Sequence, residues 1–144
     1  MKVVFDIETD GLDATVIHVL VAKEVGTKRY YIIRGPQAFK KFAEGVTHWI
    51  AQNGINFDIP VVERLWGYKI PLSKTTDTLV LSRLFEPQRK GGHSLKAWGE
   101  RLGDFKDSFN DWSQYSEEMK DYCKQDVHVT ELLYNELMKE GRKF

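Results

Sequence analysis

The sequence has a single cysteine, Cys123, no net charge, and no apolar run near the roughly 20 residues that span a bilayer. One cysteine excludes an internal disulfide and any multi-cysteine zinc site, and it agrees with a reducing compartment. The first residues, MKVVFDIETD, turn acidic too soon for a secretory signal. These absences lead us to expect a cytoplasmic protein without membrane contact. Zero net charge also removes the whole-chain basic footprint of many nucleic-acid binders. No repeat or low-complexity stretch interrupts the 144 residues, so one domain over 1–144 is expected, long enough to bury its own core.

Charge is uneven along the chain. Residues 74–106 hold seven Lys or Arg against four acids, whereas residues 107–144 hold five against nine. A basic middle beside an acidic end suits a phosphate backbone next to a metal site, and solvated helix faces give similar counts.

Near the start, VVFDIETDGL is an apolar run interrupted by two acids. Strand side chains alternate faces, so Val4, Asp6 and Glu8 share one face and Val3, Phe5 and Ile7 the other. Taken alone, this describes an edge strand with one wet face. VIHVLVAKEV is β-branched enough for a second strand, and VGTK turns into a third, RYYIIR. Gly35 and Pro36 open a short helix, QAFKKFAEG, and THWIAQN reads as a fourth strand. FDIPVVERLWG has helical spacing with Pro60 in its first turn and Gly67 as its stop. KIPLSKTTDT is an extended connection, LVLSRLF a short helix, and EPQRKGGHS a basic loop expected to be mobile. SLKAWGERLG is a helix capped by Ser94 and ended by Gly103. DFKDSFNDWSQY is a polar and aromatic connection. A long final helix from Ser116 to about Glu140 carries Glu117 and Glu118 in its first turn. This order indicates an α/β protein with a mixed sheet flanked by helices, in which a first strand is commonly central.

Two further stretches can carry chemistry. In QNGINFDIP, Asp58 stands at a helix start, where it is either an N-cap or a functional acid. In DYCKQDVHVT, Tyr122 and Asp126 lie one turn apart on one helix face. Cys123, Val127, Thr130 and Leu133 or Tyr134 trace the core-facing stripe beside them. An acid next to that stripe needs a cation, and Lys120 or Lys124 is one candidate. Asp6, Glu8, Asp58 and Asp126 can all point inward. Four converging carboxylates repel one another unless compensated, and two divalent cations would compensate them. Oxygen donors without a His or Cys cluster select Mg²⁺ or Mn²⁺.

In order along the chain, DIETDGL, then Asn53 with Phe57 and Asp58 in NGINFD, then Tyr122 and Asp126 in YCKQD resemble the three motifs of the DEDD, or DnaQ-like, 3′→5′ exonucleases. The likeness runs end to end. It is nearest to the proofreading exonuclease domain of bacteriophage family A DNA polymerases, through DTLVLSRL at 77–84 and HSLKAWGERLG at 93–103. With Asp at 121 and Tyr at 122, the third motif resembles the tyrosine subclass. The resemblance implies a ribonuclease H-like fold with a central five-stranded sheet, three strands antiparallel and the rest parallel. It further implies a metal-dependent exonuclease that releases nucleoside 5′-monophosphates from the 3′ end of single-stranded or frayed DNA, in the manner of proofreading.

By the same resemblance, Asp6 would bridge two ions, Glu8 and Asp126 would complete one ion's site, and Asp58 would support the other. Tyr122 would orient the attacking water with Glu8 as its partner. Thr9, Gly11 and Leu12 would meet the terminal nucleotide, and Asn53 and Phe57 the penultimate one. Arg89, Lys90 and Lys96 are candidates for backbone contacts. His93 and Trp98 are assigned structural roles.

Departures from the pattern set further expectations. A polymerase does not fit in 144 residues, so a free-standing exonuclease or an excised domain is expected, with a separate DNA polymerase as a candidate partner. Gln52 stands where phage relatives often have His, and the stretch from Asp58 to Asp126 is short, which predicts reduced substrate-gripping loops. RNA trimming and a non-catalytic nucleic-acid-binding or polymerase-docking module are the competing readings.

Overall fold

A computed structural model describes residues 1–103 and 109–142. The first part of the connection DFKDSFNDWSQY, with Asp104 and Lys106, lies outside the described residues. Strands β1 (Lys2–Thr9), β2 (Ile17–Glu24) and β3 (Tyr30–Ile33) form an antiparallel meander. Helix α1 (Pro36–Ala43) leads to β4 (His48–Ala51), then a π-helical turn (Gly54–Asp58) runs into α2 (Ile59–Trp66). Strand β5 (Thr75–Asp77), α3 (Thr78–Phe85), α4 (Leu95–Leu102) and α5 (Glu117–Gly141) complete the fold.

The five strands lie in the order β3-β2-β1-β4-β5, with β4 parallel to β1 and β5 parallel to β4. The first strand is therefore central, and the edge-strand reading of Asp6 and Glu8 is wrong. KIPLSKTTDT is also more than a connection, because its last residues form β5. Three short polar residues carried too little pattern to announce a strand.

The alternation along β1 separates two cores. Val3, Phe5 and Ile7 face an aromatic layer in which Trp49, Phe39 and Trp66 pack with α1 and α2. Phe5 meets Trp49 edge to face at 5.4 Å between centroids. On the opposite face, Val4, Val19, Val21 and Ile50 pack on Met119, Cys123 and Val127 of α5. The stripe read from the last helix is buried as expected, including Thr130, Leu133 and Tyr134. A third cluster joins α3 and α4 to α5 around Trp98, Leu133 and Leu137.

Caps set the helix bounds. Ser116 accepts from the Met119 amide at 3.1 Å and Ser94 from the Ala97 amide at 3.0 Å. Gly67 (φ +68°) and Gly103 (φ +74°) end α2 and α4 in the left-handed region that glycine tolerates.

The basic stretch before α4 is held to its surroundings through Arg89. Arg89 forms a two-pronged pair with Glu140 at 2.9 and 2.8 Å, and its guanidinium lies 4.6 Å from the Trp98 ring centroid. Arg89 is thus an internal strut, a correction to its expected place on a phosphate backbone. His93 and Trp98 are structural as expected, since both bond the Ser82 hydroxyl, at 2.7 and 3.0 Å.

Candidate active site

The sheet itself makes the crevice. Pairing of β1 with β4 stops at Val4 and Ile50, while β1 continues through Asp6 and Glu8 against β2. Strand β1 is also where the sheet changes from antiparallel to parallel, and clefts in α/β sheets open at the carboxyl ends of strands at such a point. Beyond β4 the chain leaves the sheet at Asn53, which takes the left-handed conformation at φ +60°. The π turn follows, and Gly54 is required there: a Cβ on it would stand 2.6 Å from the Ala51 Cβ.

Asp77 holds this turn in place. Its buried carboxylate accepts from the amides of Asn53 (2.9 Å), Ile55 (3.1 Å) and Leu79 (2.9 Å), so it also caps α3. The sequence reading missed this residue. Its signal was an Asp two residues before an apolar run, the pattern of an N-cap.

The π turn delivers Asp58 to the crevice. Asp58 has helical backbone angles and no capping hydrogen bond, so it is not an N-cap. With Asp6, Glu8, Tyr122 and Asp126 it lines one cavity of about 320 Å³, together with Ile7, Leu12, Gln52, Asn53, Phe57 and Trp112. Every carboxylate singled out from the sequence reaches this space, as does the tyrosine. Thr9, Gly11 and Leu12 line an adjoining cavity of about 240 Å³ that shares Ile7, Glu8, Leu12, Phe57 and Trp112 with the first. A β-bulge after Glu8 and the Thr9 hydroxyl, which donates to the Gly11 carbonyl at 2.8 Å, shape that rim. A larger hollow of about 820 Å³, lined by Lys2, Tyr134, Lys139 and Arg142 among others, has no Asp or Glu among its described lining residues and lies at the other end of β1.

Burial decides the electrostatics. Asp58 is 3 % exposed, and its Oδ2 is buried without a hydrogen-bond partner. Desolvation pushes its pKa up to about 7, with the Asp77 charge adding, against hydrogen bonds from the Ile7 backbone and the Asp6 side chain. Near neutral pH, Asp58 thus keeps a proton part of the time, and a bound cation would displace it.

Among the described residues, Asp6, Glu8 and Cys123 form the one group of potential ligand atoms that all lie within 4.8 Å of one another. Asp58 and Asp126 stand in the walls of the same cavity, outside that tight group. Burial, with the charges of Asp6, Glu8 and Asp126, raises the Cys123 thiol well above its usual range. It therefore stays protonated, with Sγ 3.6 Å from the Asp6 carbonyl and 3.7 Å from Asp6 Oδ2. The usable donors are carboxylate oxygens, one of them a buried orphan. That set fits hard divalent ions.

Of the lysines considered for Asp126, Lys120 bonds Glu117 (2.8 Å) and Asp121 (3.4 Å), and Lys124 stands 4.8 Å from the Tyr30 ring centroid. Of two further wall residues, Gln52 was noted in the sequence only as a departure from His, and Trp112 escaped notice. Gln52 bonds the His93 carbonyl (3.1 Å) and the Thr78 hydroxyl (2.5 Å), and Trp112 packs on Tyr122. Aromatic density in FNDWSQY was the available signal for the second.

Comparison with known proteins agrees with this picture. Residues 1–142 match a family described as 3′-5′ exonuclease. The DNA-directed DNA polymerase of Escherichia phage T7 is 28% identical over 192 aligned positions, covering 99% of this chain and 27% of the polymerase. That of Enterobacteria phage T3 is 29% identical over 136 positions, covering 66% of this chain and 19% of the polymerase. The chain thus spans under a third of the length of either relative. The T7 alignment is longer than the 144-residue chain, so that polymerase carries insertions in the matched region.

In structure, the chain is similar to Brucella melitensis NrnC bound to pGG (TM-score 0.79, 21% identity, 99% of this chain and 74% of that one). It is also similar to Exonuclease X in complex with 5′ overhanging duplex DNA (TM-score 0.63, 17% identity, 96% and 92%). The fold is ribonuclease H-like, with the mixed five-stranded sheet expected of it. Among the described residues no helix is long and apolar enough to cross a membrane.

Proposed function

The chain belongs to this 3′-5′ exonuclease family, and on that premise we propose a metal-dependent exonuclease that hydrolyses the terminal phosphodiester of single-stranded or frayed DNA, releasing nucleoside 5′-monophosphates. The observation that carries the proposal is the convergence of Asp6, Glu8, Asp58, Asp126 and Tyr122 on one cavity. Asp6, Glu8 and Asp126 would hold one divalent ion, Mg²⁺ or Mn²⁺, and Asp58 would support a second. Such a pair, when bound, supplies charge neutralisation and water activation for phosphoryl displacement.

The chain's own residues do the rest. Tyr122 stands one helical turn from Asp126 and orients the attacking water through its phenol, with Glu8 as hydrogen-bond partner. A phenol of pKa about 10 suits hydrogen bonding better than proton abstraction at neutral pH. Thr9, Gly11 and Leu12 seat the terminal nucleotide in the adjoining cavity, and Asn53 and Phe57 grip the next one. Asp77 keeps Asn53 and the π turn in register for that contact. The phage polymerase relatives support proofreading in association with a DNA polymerase as the physiological setting.

The test is digestion of matched 5′-labelled DNA and RNA oligonucleotides with Mg²⁺, Mn²⁺ or EDTA, for the native chain and Asp6→Ala. Stepwise 3′ shortening of DNA is expected, lost in EDTA and in Asp6→Ala. Activity that survives either treatment would sink the metal mechanism. Preferential shortening of RNA would move the enzyme to the RNA-trimming class.

A further inference from the structure

One aromatic side chain at the site belongs to none of the three motifs. Trp112 lines both the acid-walled cavity and the adjoining one formed by Thr9, Gly11 and Leu12. Its segment, just before α5, is fastened to the sheet at two points. His18 Nε2 donates to the Trp112 carbonyl at 2.9 Å, and the Arg34 guanidinium stacks 3.5 Å from the Tyr115 ring centroid. Arg34 Nε also donates to the His18 carbonyl at 3.2 Å, which joins the two points. Phe109 and Tyr122 approach the indole at centroid distances of 4.8 and 5.7 Å, each at 79°. Neither ring lies flat on it, so the half-buried Trp112 keeps ring surface for the cavities it lines. Leu12, 92 % exposed, lines the same two cavities.

We propose that Trp112 is a base-stacking platform that, with Leu12 as the second apolar surface, selects for the presence of a base on the terminal nucleotide. The inference rests on the exonuclease reading of the site and names its substrate requirement. Every nucleobase offers a π face, so the platform accepts any base and discriminates against an abasic end. Because the same indole packs against Tyr122, an occupied platform also keeps that phenol's ring in place.

The other three tryptophans, Trp49, Trp66 and Trp98, are buried, so Trp112 is the fluorophore that a ligand in the cavity reaches. The experiment titrates the full chain, in Mg²⁺, with deoxyguanosine 5′-monophosphate or with 2-deoxyribose 5-phosphate, reading fluorescence and calorimetry together. The nucleotide should quench saturably, and the sugar phosphate should bind more weakly without quenching. Trp112→Ala should lower nucleotide affinity on the order of 10-fold while leaving sugar-phosphate affinity unchanged. Trp112→Phe, which keeps a ring and fills the same place, should retain the affinity and lose the quench.

Calorimetric binding of the nucleotide to the native chain without quenching overturns the platform and leaves the exonuclease reading standing. Equal loss of both ligands in Trp112→Ala overturns it as well, since that reports a disturbed fold. Absence of any nucleotide binding to the native chain overturns the reading of the site and this inference with it.

Discussion

Two kinds of buried carboxylate occur in this molecule. Asp77 and Glu131 are satisfied by the chain itself: Asp77 by three backbone amides, Glu131 by Lys23 (2.5 Å) and the Gly26 amide (3.0 Å). Asp58 is as buried as either, yet its Oδ2 has no partner and its pKa stands near 7. Leaving a buried polar atom unpaired costs on the order of 1 to 3 kcal/mol. A fold that satisfies two acids so fully and leaves a third exposed to that cost is consistent with a third acid serving something the chain does not contain.

The largest expected effect tests this directly. Asp58→Asn should reduce exonuclease activity on the order of 10³-fold, the worth of several kcal/mol of transition-state stabilisation. In the same protein, melting in EDTA at pH 8 should be unchanged or higher, because a neutral amide replaces a buried charge. Glu131→Ala should do the reverse. Removing one partner of a buried pair costs about 3 to 5 kcal/mol, read as a lower midpoint in urea, while the kcat of the folded fraction persists. If Asp58→Asn unfolded the protein and Glu131→Ala silenced it, the two kinds of acid would be the wrong way round.

The sequence showed the first kind poorly and the second well. The four site acids and Tyr122 stood out because acids interrupt apolar patterns in Asp6, Glu8 and Asp126, and because the motifs occur in order. Helix caps at Ser94 and Ser116 were legible because their partners lie three residues away. Asp77 was not, since its role depends on Asn53 and Ile55, more than twenty residues earlier, meeting it across β4 and β5. The same holds for Arg89, whose partner Glu140 is 51 residues distant, and whose charge suggested solvent and phosphate instead. The edge-strand reading of β1 failed for a related reason. Alternation reports which residues share a face, whereas which strand lies beside it is set by the parallel return of β4.

A smaller effect comes from pH in the metal-free protein. Asp58 binds its proton more tightly folded, near 7, than unfolded, near 3.8, so the folded state holds the extra proton in between. Stability from this group is therefore lost as pH rises from about 4 to 7. Asp10, drawn down to about 2 by hydrogen bonds from Thr15, contributes with the opposite sign, but its contribution is complete before pH 5. His48, held below 6.5 by burial and then by Lys2, also opposes it over part of the range. Asp58→Asn separates these contributions. In EDTA the native chain should lose more melting temperature between pH 5 and 8 than the variant does, and saturating Mg²⁺ should remove the difference. Equal slopes would mean that Asp58 resembles Asp77 after all.

The smallest effect belongs to the group that adds no charge. Tyr122 shares the cavity with the acids, but its place rests on rings, Trp112 at 5.7 Å and Phe109 at 5.9 Å, not on ion binding. Tyr122→Phe keeps that packing and deletes one hydroxyl. If the hydroxyl orients water, the loss is one hydrogen bond in the transition state, about 1.4 kcal/mol or roughly 10-fold in kcat at most. The Mg²⁺ concentration for half-maximal rate should not move, whereas a carboxylate variant such as Asp126→Asn should raise it. A Tyr122→Phe enzyme whose loss is restored by more Mg²⁺ would place the phenol among the ion-holding groups. Its contribution would then belong with that of Asp58, and the division between charge-bearing and water-orienting residues would have to be redrawn.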